Sequence, residues 1–216
     1  MEPNRILNMS EQTDKLLFKI ARSRVMVSRI FAVLILLLVI FTLPPFEQGS
    51  VADTSLETSG LFLLTVCSMG RLWALLYISG KKTHEVITDG PYSIVRHPLY
   101  LFNLIGAIGI GLASENILVL AAVIIFYLSY YPLTILSEEK TLTKKFGQTY
   151  IDYAKCTPRF LPKLSLYKSP SQVVINADIF LKNIAIGMWF IWIFLLFNFI
   201  EMLQTTGIIH VLLKVP

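Results

Sequence analysis

Charge is scarce in this chain. Asp, Glu, Lys and Arg make up 15% of its 216 residues, against about a quarter in an ordinary soluble domain. A soluble globular domain is thereby excluded, and a mean hydropathy of +0.65 points the same way. Cysteine is almost absent. Cys67 sits in an apolar run and Cys156 in a basic loop, so no disulfide framework is expected. Histidine is limited to His84, His97 and His210. His84 and His97 lack the paired spacing of a ligating motif, so no metal site is expected. The net charge of +5 is spread over several loops rather than gathered into a stripe. That distribution suits anionic lipid surfaces and argues against a nucleic-acid partner. No cleavable leader is expected either, because the first apolar run begins near Val25, after Arg5, Lys15, Lys19, Arg22 and Arg24.

What the chain does have is long hydrophobic runs. A helix of about 20 apolar residues covers the hydrocarbon core of a bilayer. Runs at 25–46, 60–79, 98–113, 117–136 and 179–203 predict an all-α membrane protein with about five transmembrane helices. The third is short and carries Gly106, Gly109 and Gly111, which permit close helix packing. Residues 1–24 predict a short amphipathic helix on the membrane surface, through Leu16, Leu17 and Ile20. Leu142, Phe146, Tyr150 and Tyr153 recur at helical spacing, which predicts an amphipathic helix over 138–153, ended by Pro158. The tail 207–216 is too short to span, and is expected to be re-entrant or to lie on the surface. Loops 47–58 and 114–116 carry no Lys or Arg, whereas the N-terminal segment, 80–97 and 137–178 hold nearly all of them. The excess of basic residues on cytoplasmic loops then predicts a cytoplasmic N-terminus, with both long polar regions on that same face.

A polar, Gly/Pro-broken stretch between apolar runs extends from His84 to Tyr100. Gly90-Pro91 predicts a turn, and Pro98 a helix start whose unpaired N–H groups could accept a carboxylate or phosphate. Arg96 and His97 flank it with a fixed charge and a tunable donor. A connecting loop whose Arg reaches headgroups would account for the same composition. Glu138 and Glu139 follow directly on the fourth run. At a helix start they would complement the macrodipole; near a low-dielectric boundary they could instead bind a cation. Arg71, expected near the middle of the second run, requires a partner or a water-filled cavity. Tyr77, Tyr92, Tyr100, Tyr150 and Tyr153 lie near the expected interface, as anchors or as a cluster able to attract a sulfonium.

Taken in order, Arg71-Leu72-Trp73-Ala74, then His84-x-Val86-x-Thr88-x-Gly90-Pro91-Tyr92-x-x-x-Arg96-His97-Pro98-x-Tyr100, then Glu138-Glu139 with Leu142, Phe146, Gly147, Tyr150 and Tyr153, then Pro158-x-x-Leu161-Pro162, resemble the isoprenylcysteine carboxyl methyltransferase and phospholipid methyltransferase superfamily. The resemblance covers roughly residues 60–165. It implies an integral membrane enzyme that uses S-adenosylmethionine, with a cytoplasmic cofactor-binding loop and a C-terminal catalytic segment, in a bacterial inner membrane or the endoplasmic reticulum. Carried over, it implies that His84, Glu85, Val86, Ile87, Tyr92, His97, Pro98, Leu99, Tyr100 and Glu138 line the cofactor site. Arg96, Glu138, Glu139 and Arg71 would carry catalysis, and Arg71 or Arg159 would hold the acceptor. Three segments follow: 1–59 with the N-terminal segment and first span, 60–165 as methyltransferase core, and 166–216 as an extension with an added span. The acceptor would be a membrane lipid or lipidated molecule, such as an isoprenylcysteine carboxylate or a lipid headgroup. A phospholipid N-methyltransferase, a sterol-reductase-like oxidoreductase and a non-catalytic membrane scaffold remain alternatives. One departure stands out. Relatives acting on isoprenylcysteine carry an Arg a few residues before the Glu pair; here Thr134 stands there.

Overall fold

The computed structural model describes residues 3–79, 84–173 and 175–214. It is an all-α membrane protein. Helix α1 spans Pro3–Phe41, α2 Val51–Ile78, α3 Pro91–Ile94, α4 Pro98–Ala113, α5 Ile117–Phe146, α6 Gln148–Cys156, α7 Ala177–Gly187 and α8 Trp189–Thr205. A single turn of 3-10 helix covers Leu164–Leu166, and two-residue strands β1 (Thr42–Leu43) and β2 (Leu213–Lys214) pair in parallel. Among the described residues, four stretches are long and apolar enough to cross a bilayer: Arg22–Phe41, Val51–Ile78, Ile117–Phe146 and Ala177–Thr205. The fifth expected span, α4, has 16 residues and at 1.5 Å per residue reaches only about 24 Å.

Several elements differ from the sequence expectation. The N-terminal stretch is no separate surface helix; α1 runs unbroken into the first span. Helix α2 begins nine residues earlier than its apolar run, where Ser50 caps it and Asp53 holds the residue before the cap. Ser50 Oγ accepts from Asp53 N at 3.2 Å, and the Asp53 carboxylate accepts from Gly49 N at 2.8 Å. Arg71 therefore lies seven residues from the end of α2 at Ile78, not at mid-span. Helix α5 continues through Glu138-Glu139 to Phe146, so the two carboxylates stand in a helix interior and not at a helix start. The break comes at Gly147, whose φ of 55° is costly for residues with a Cβ. The last span divides at Met188 into α7 and α8. The tail is tied down at Leu213–Lys214, where β2 pairs with β1 just after α1.

Packing follows the small residues. Helices α2 and α4 form the broadest interface, and its glycines leave no room for a side chain. A Cβ on Gly106 would stand 2.6 Å from Cys67 Sγ and 2.7 Å from the Phe190 ring. Ile35 and Val39 of α1, Val119 and Val123 of α5, and Phe197 and Ile200 of α8 form an apolar core where those helices meet. Large apolar side chains such as Phe62, Ile125 and Trp192 stay exposed on the outer faces, where lipid replaces water as solvent.

The end of the bundle bearing the 42–53 and 114–116 loops is tied by polar groups. Gln204 donates to the carbonyls of Val39, Ile40 and Thr42 at 3.0, 2.8 and 3.2 Å, and Asn116 donates to Thr42 Oγ1 at 2.8 Å. Glu115, in the α4–α5 turn with φ 50°, is buried there. Burial first, and a hydrogen bond to Asp53 second, with Asp53, Glu201 and Glu57 as further like charges, push its carboxyl up to about 8. A carboxyl raised on folding stabilises the fold in its protonated form, fully below the ordinary value of 4.5, and that contribution is lost as pH rises through about 8. Thermal stability in detergent is expected to fall over that window, and Glu115→Gln to flatten the slope. A slope unchanged by the substitution would show that Glu115 does not carry it.

Candidate functional site

The opposite end of the bundle holds the polar stretches, and the backbone brings them together. Segment 157–169 runs back beside 90–96. Arg96 N donates to Pro158 O at 2.9 Å, Lys163 N to Ile94 O at 2.9 Å, and Gly90 N to Lys168 O at 2.8 Å. Side chains lock the same seam: Lys168 N donates to Ser93 Oγ at 3.1 Å, and the Tyr77 and Ser169 hydroxyls lie 2.6 Å apart. Gly90 has φ 59°, and a Cβ there would stand 2.4 Å from the Tyr77 ring. Only glycine satisfies both conditions, which is why the turn after Asp89 can press against α2.

At the centre lies Glu139, 8% exposed. Its Oε1 accepts from Arg96 Nη1 at 3.0 Å and from Arg159 Nε at 3.0 Å, and faces His97 Nε2 at 3.1 Å; its Oε2 accepts from Arg159 Nη2 at 2.5 Å. Arg96 also donates through Nε to Thr157 O at 2.7 Å. One carboxylate thus joins the loop before α4, helix α5 and the returning C-terminal segment. Its hydrogen bond, ahead of its charge, raises the Arg159 guanidinium above its ordinary value. Glu139 is saturated by this set. Arg159 thus pairs with Glu139 through Nε and Nη2, with its side chain 39% exposed.

Glu138, one position earlier, points elsewhere. It hydrogen-bonds the Tyr100 hydroxyl, and its charge acts on Tyr92 and Tyr150. These tyrosines are no interfacial anchors: Tyr77, Tyr92, Tyr100 and Tyr150 are 8, 7, 8 and 3% exposed. The hydroxyls of Tyr92 and Tyr150 are buried with no hydrogen-bond partner among the described residues, a costly condition. Burial, and then the charge of Glu138, raises the Tyr92 hydroxyl, and burial raises that of Tyr150 to about 12. Both remain protonated donors at neutral pH.

The other candidates are distributed as follows. His84 and Glu85 are exposed, and Val86 is half-buried. Lys81 and Lys82 lie outside the described residues. Ile87 and Leu99 pack on the buried cluster of Ala74, Tyr77 and Tyr92. Pro98 is completely buried and begins α4, whose N-cap is His97. Thr134 is 1% exposed and returns its hydroxyl to the Tyr130 carbonyl at 3.3 Å, so it offers no donor in place of an arginine. Arg71 is not joined to Glu139. It donates to Asn103 Oδ1, lies 5.5 Å from the Phe190 ring centroid, and keeps a buried Nε without a partner among the described residues. Among the described residues, no group of three or more His, Cys, Asp and Glu side chains is arranged to hold a metal ion. Asn103, Thr157 and Arg24 were not singled out from sequence as members of this region, whereas Tyr150 was, as one of the tyrosines near the expected interface.

Comparison with known proteins gives the family. Residues 59–149 match the phospholipid methyltransferase family model. The chain is 39% identical over 150 residues to the nickel-cobalt-cadmium resistance protein NccN of Alcaligenes xylosoxydans xylosoxydans, covering 69% of this chain and 70% of that one. It is 31% identical over 210 residues to the cobalt-zinc-cadmium resistance protein CzcN of Cupriavidus metallidurans, covering 97% and 95%. It is also 31% identical over 88 residues to protein-S-isoprenylcysteine O-methyltransferase B of Arabidopsis thaliana, covering 41% of this chain and 45% of that one. No solved structure matches. The ordered polar motifs, the helical membrane bundle and these relatives agree: the chain belongs to the isoprenylcysteine carboxyl methyltransferase and phospholipid methyltransferase superfamily of membrane methyltransferases.

Proposed function

We propose that this protein transfers a methyl group from S-adenosylmethionine to a lipophilic acceptor, at the site between the 84–100 loop, α5 and the 157–169 segment. The observation that carries the reading is the Glu139 cluster beside two buried, unpartnered tyrosine hydroxyls. Such donors are stable only with a polar partner, and S-adenosylmethionine brings an ammonium, a carboxylate and ribose hydroxyls. In this reading Glu138 holds the ammonium, and Tyr92 and Tyr150 donate to oxygen. Arg96 and His97, held in place by Glu139, orient the site, and the 84–87 strip with Leu99 and Tyr100 walls it. When bound, the cofactor supplies an electrophilic methyl on a sulfonium.

The chain's own contribution is positional. Donor and acceptor must be held about 3–3.5 Å apart and in line, and water must be kept out. Buried Tyr92, His97, Tyr100 and Tyr150 exclude water on one side, and the lipid-facing helices admit an apolar acceptor on the other. Residues 60–165 supply this machinery. The 166–216 extension braces it from outside, through Phe190 against Gly106 and Arg71. The basic loops support a cytoplasmic site and N-terminus.

The test is transfer of a labelled methyl group from S-adenosylmethionine by purified protein in a total lipid extract. Label is expected in a lipid fraction with the unaltered chain. His97→Ala is expected to reduce it at least ten-fold while the helical circular dichroism is retained. Failure of the unaltered chain to bind S-adenosylmethionine at all would overturn the reading.

A further inference from the structure

The 157–169 segment closes the site seam with one side and exposes apolar side chains on the other. Leu161, a member of the Pro158-x-x-Leu161-Pro162 motif, is 83% exposed, and Phe160, Leu164 and Tyr167 are 51, 74 and 51% exposed. Lys163 and Lys168 stand exposed among them. Between Asp152 and Asp178 the chain carries Lys155, Arg159, Lys163 and Lys168 and no acidic residue. Backbone donors along this edge are paired. The amide of Lys163 donates to Ile94 O, that of Lys168 to Ser93 Oγ, and those of Leu166 and Tyr167 to Lys163 O and Leu164 O. Pro162 has no N–H to pair.

Where the segment lies decides what covers it. Tyr167 packs on Trp73, with ring centroids 6.1 Å apart, and Val173 packs on the cluster of Ala74, Tyr77 and Tyr92. Trp73 stands five residues before the end of α2 at Ile78, which is about 7.5 Å along the axis of a helix long and apolar enough to cross a bilayer. The segment therefore leans on the flank of the bundle, at the depth of the headgroup zone, about 5–7 Å thick on each side of the hydrocarbon. Trp and Tyr are enriched at that depth. Apolar side chains beside lysines, on a backbone with paired donors, suit an anionic lipid surface there. Other occupants fit less well. A second copy docked about a two-fold axis would set basic edge against basic edge. A soluble partner would have to displace lipid to reach Tyr167 beside Trp73.

We propose that residues 160–168 form a docking surface for the anionic headgroup layer of the bilayer that the protein spans. Phe160, Leu161, Leu164 and Tyr167 enter the edge of the acyl chains, and Lys163 and Lys168 reach lipid phosphates. The backbone bonds from Arg96 to Pro158, from Lys163 to Ile94 and from Gly90 to Lys168 make this surface the outer support of the 90–96 loop. It needs no methyl transfer: a chain that bound no S-adenosylmethionine would seat the segment in the same way. The lysine part of the attraction is about five-fold in local association per residue near an anionic surface, and salt screens it. The apolar part is independent of lipid charge.

The experiment uses the full-length chain with Cys156→Ser, which leaves the buried Cys67 as the remaining native thiol. An environment-sensitive nitrobenzoxadiazole label is placed on Leu161→Cys, and the protein is set singly in nanodiscs of phosphatidylcholine with or without phosphatidylglycerol. The label is expected to emit to the blue of its aqueous position in both, and further to the blue with phosphatidylglycerol. A nitroxide near the headgroup end of an acyl chain is expected to quench it more than one near the methyl end. The same label on Thr149→Cys, on the polar face of α6 with Asp152 and Lys155, is expected to stay at the aqueous position. Lys163→Gln with Lys168→Gln is expected to lose the phosphatidylglycerol-dependent part of the shift, and high salt to remove the same part. Leu164→Ser is expected to shrink the shift in both bilayers. A label open to aqueous iodide in both bilayers, an emission indifferent to phosphatidylglycerol, or lysine variants that keep the full response would overturn the docking surface. A shift seen only when two copies share a nanodisc would overturn it in favour of a second chain.

Discussion

Glu139→Ala is expected to destabilise the protein by about 3 kcal/mol, the lower end of the cost of breaking a buried ion pair by removing one partner. The side chains of Arg96 and His97 that it leaves behind are 17% and 6% exposed, so neither is well placed to regain water. Arg159, with a side chain 39% exposed, can turn to solvent, and its share is discounted accordingly. The substitution also removes a carboxylate that joins the 90–97 loop to the 157–169 segment, leaving the Arg96 Nε bond to Thr157 O as a side-chain link there. Thermal unfolding in detergent, followed by helical circular dichroism, checks this. A midpoint unchanged from the parent would mean that the backbone bonds from Arg96 to Pro158 and from Lys163 to Ile94 hold the seam alone. Glu139→Gln keeps an acceptor and is expected to lie between.

Glu138→Gln is expected to do the reverse. Stability should hardly change, because Glu138 lies outside the Glu139 cluster. Affinity for S-adenosylmethionine should fall on the order of 10- to 100-fold, the loss of one hydrogen bond between charged partners. Titration calorimetry with matched melting curves separates the two effects. Adjacent residues differ this much because one step along an α-helix turns the side chain by about 100°. Glu139 faces Arg96, His97 and Arg159, while Glu138 faces the tyrosines. An affinity loss confined to the Glu139 variants would assign the cofactor contact to the wrong carboxylate.

Much of this site was legible beforehand, and unevenly so. The 84–100 stretch, the Glu pair and Arg159 were all candidates from residue type and order, and the structure joins Arg96, His97, Glu139 and Arg159. The resemblance assigned Glu138 alone to the cofactor, but residue type and order did not say which way each carboxylate faces. Only the continuity of α5 fixes their phase. Arg71 was read as a candidate acceptor ligand, yet Asn103 and Phe190 surround it, and their approach depends on how α4 and α8 pack on α2. Arg24 looked like one of several basic residues flanking a first span.

The sequence by itself determined that this is a helical membrane protein. It also determined where its polar regions lie and which superfamily it belongs to. Hydropathy and motif order are local properties, and hydrocarbon admits few ways to satisfy a backbone. Tertiary structure alone decided which polar groups meet. The Arg96–Glu139, Arg159–Glu139 and Arg24–Tyr100 contacts join residues 43, 20 and 76 positions apart. Helix phase, glycine-mediated approach and the returning 157–169 segment set such distances, and none of these is encoded in the spacing along one stretch of chain.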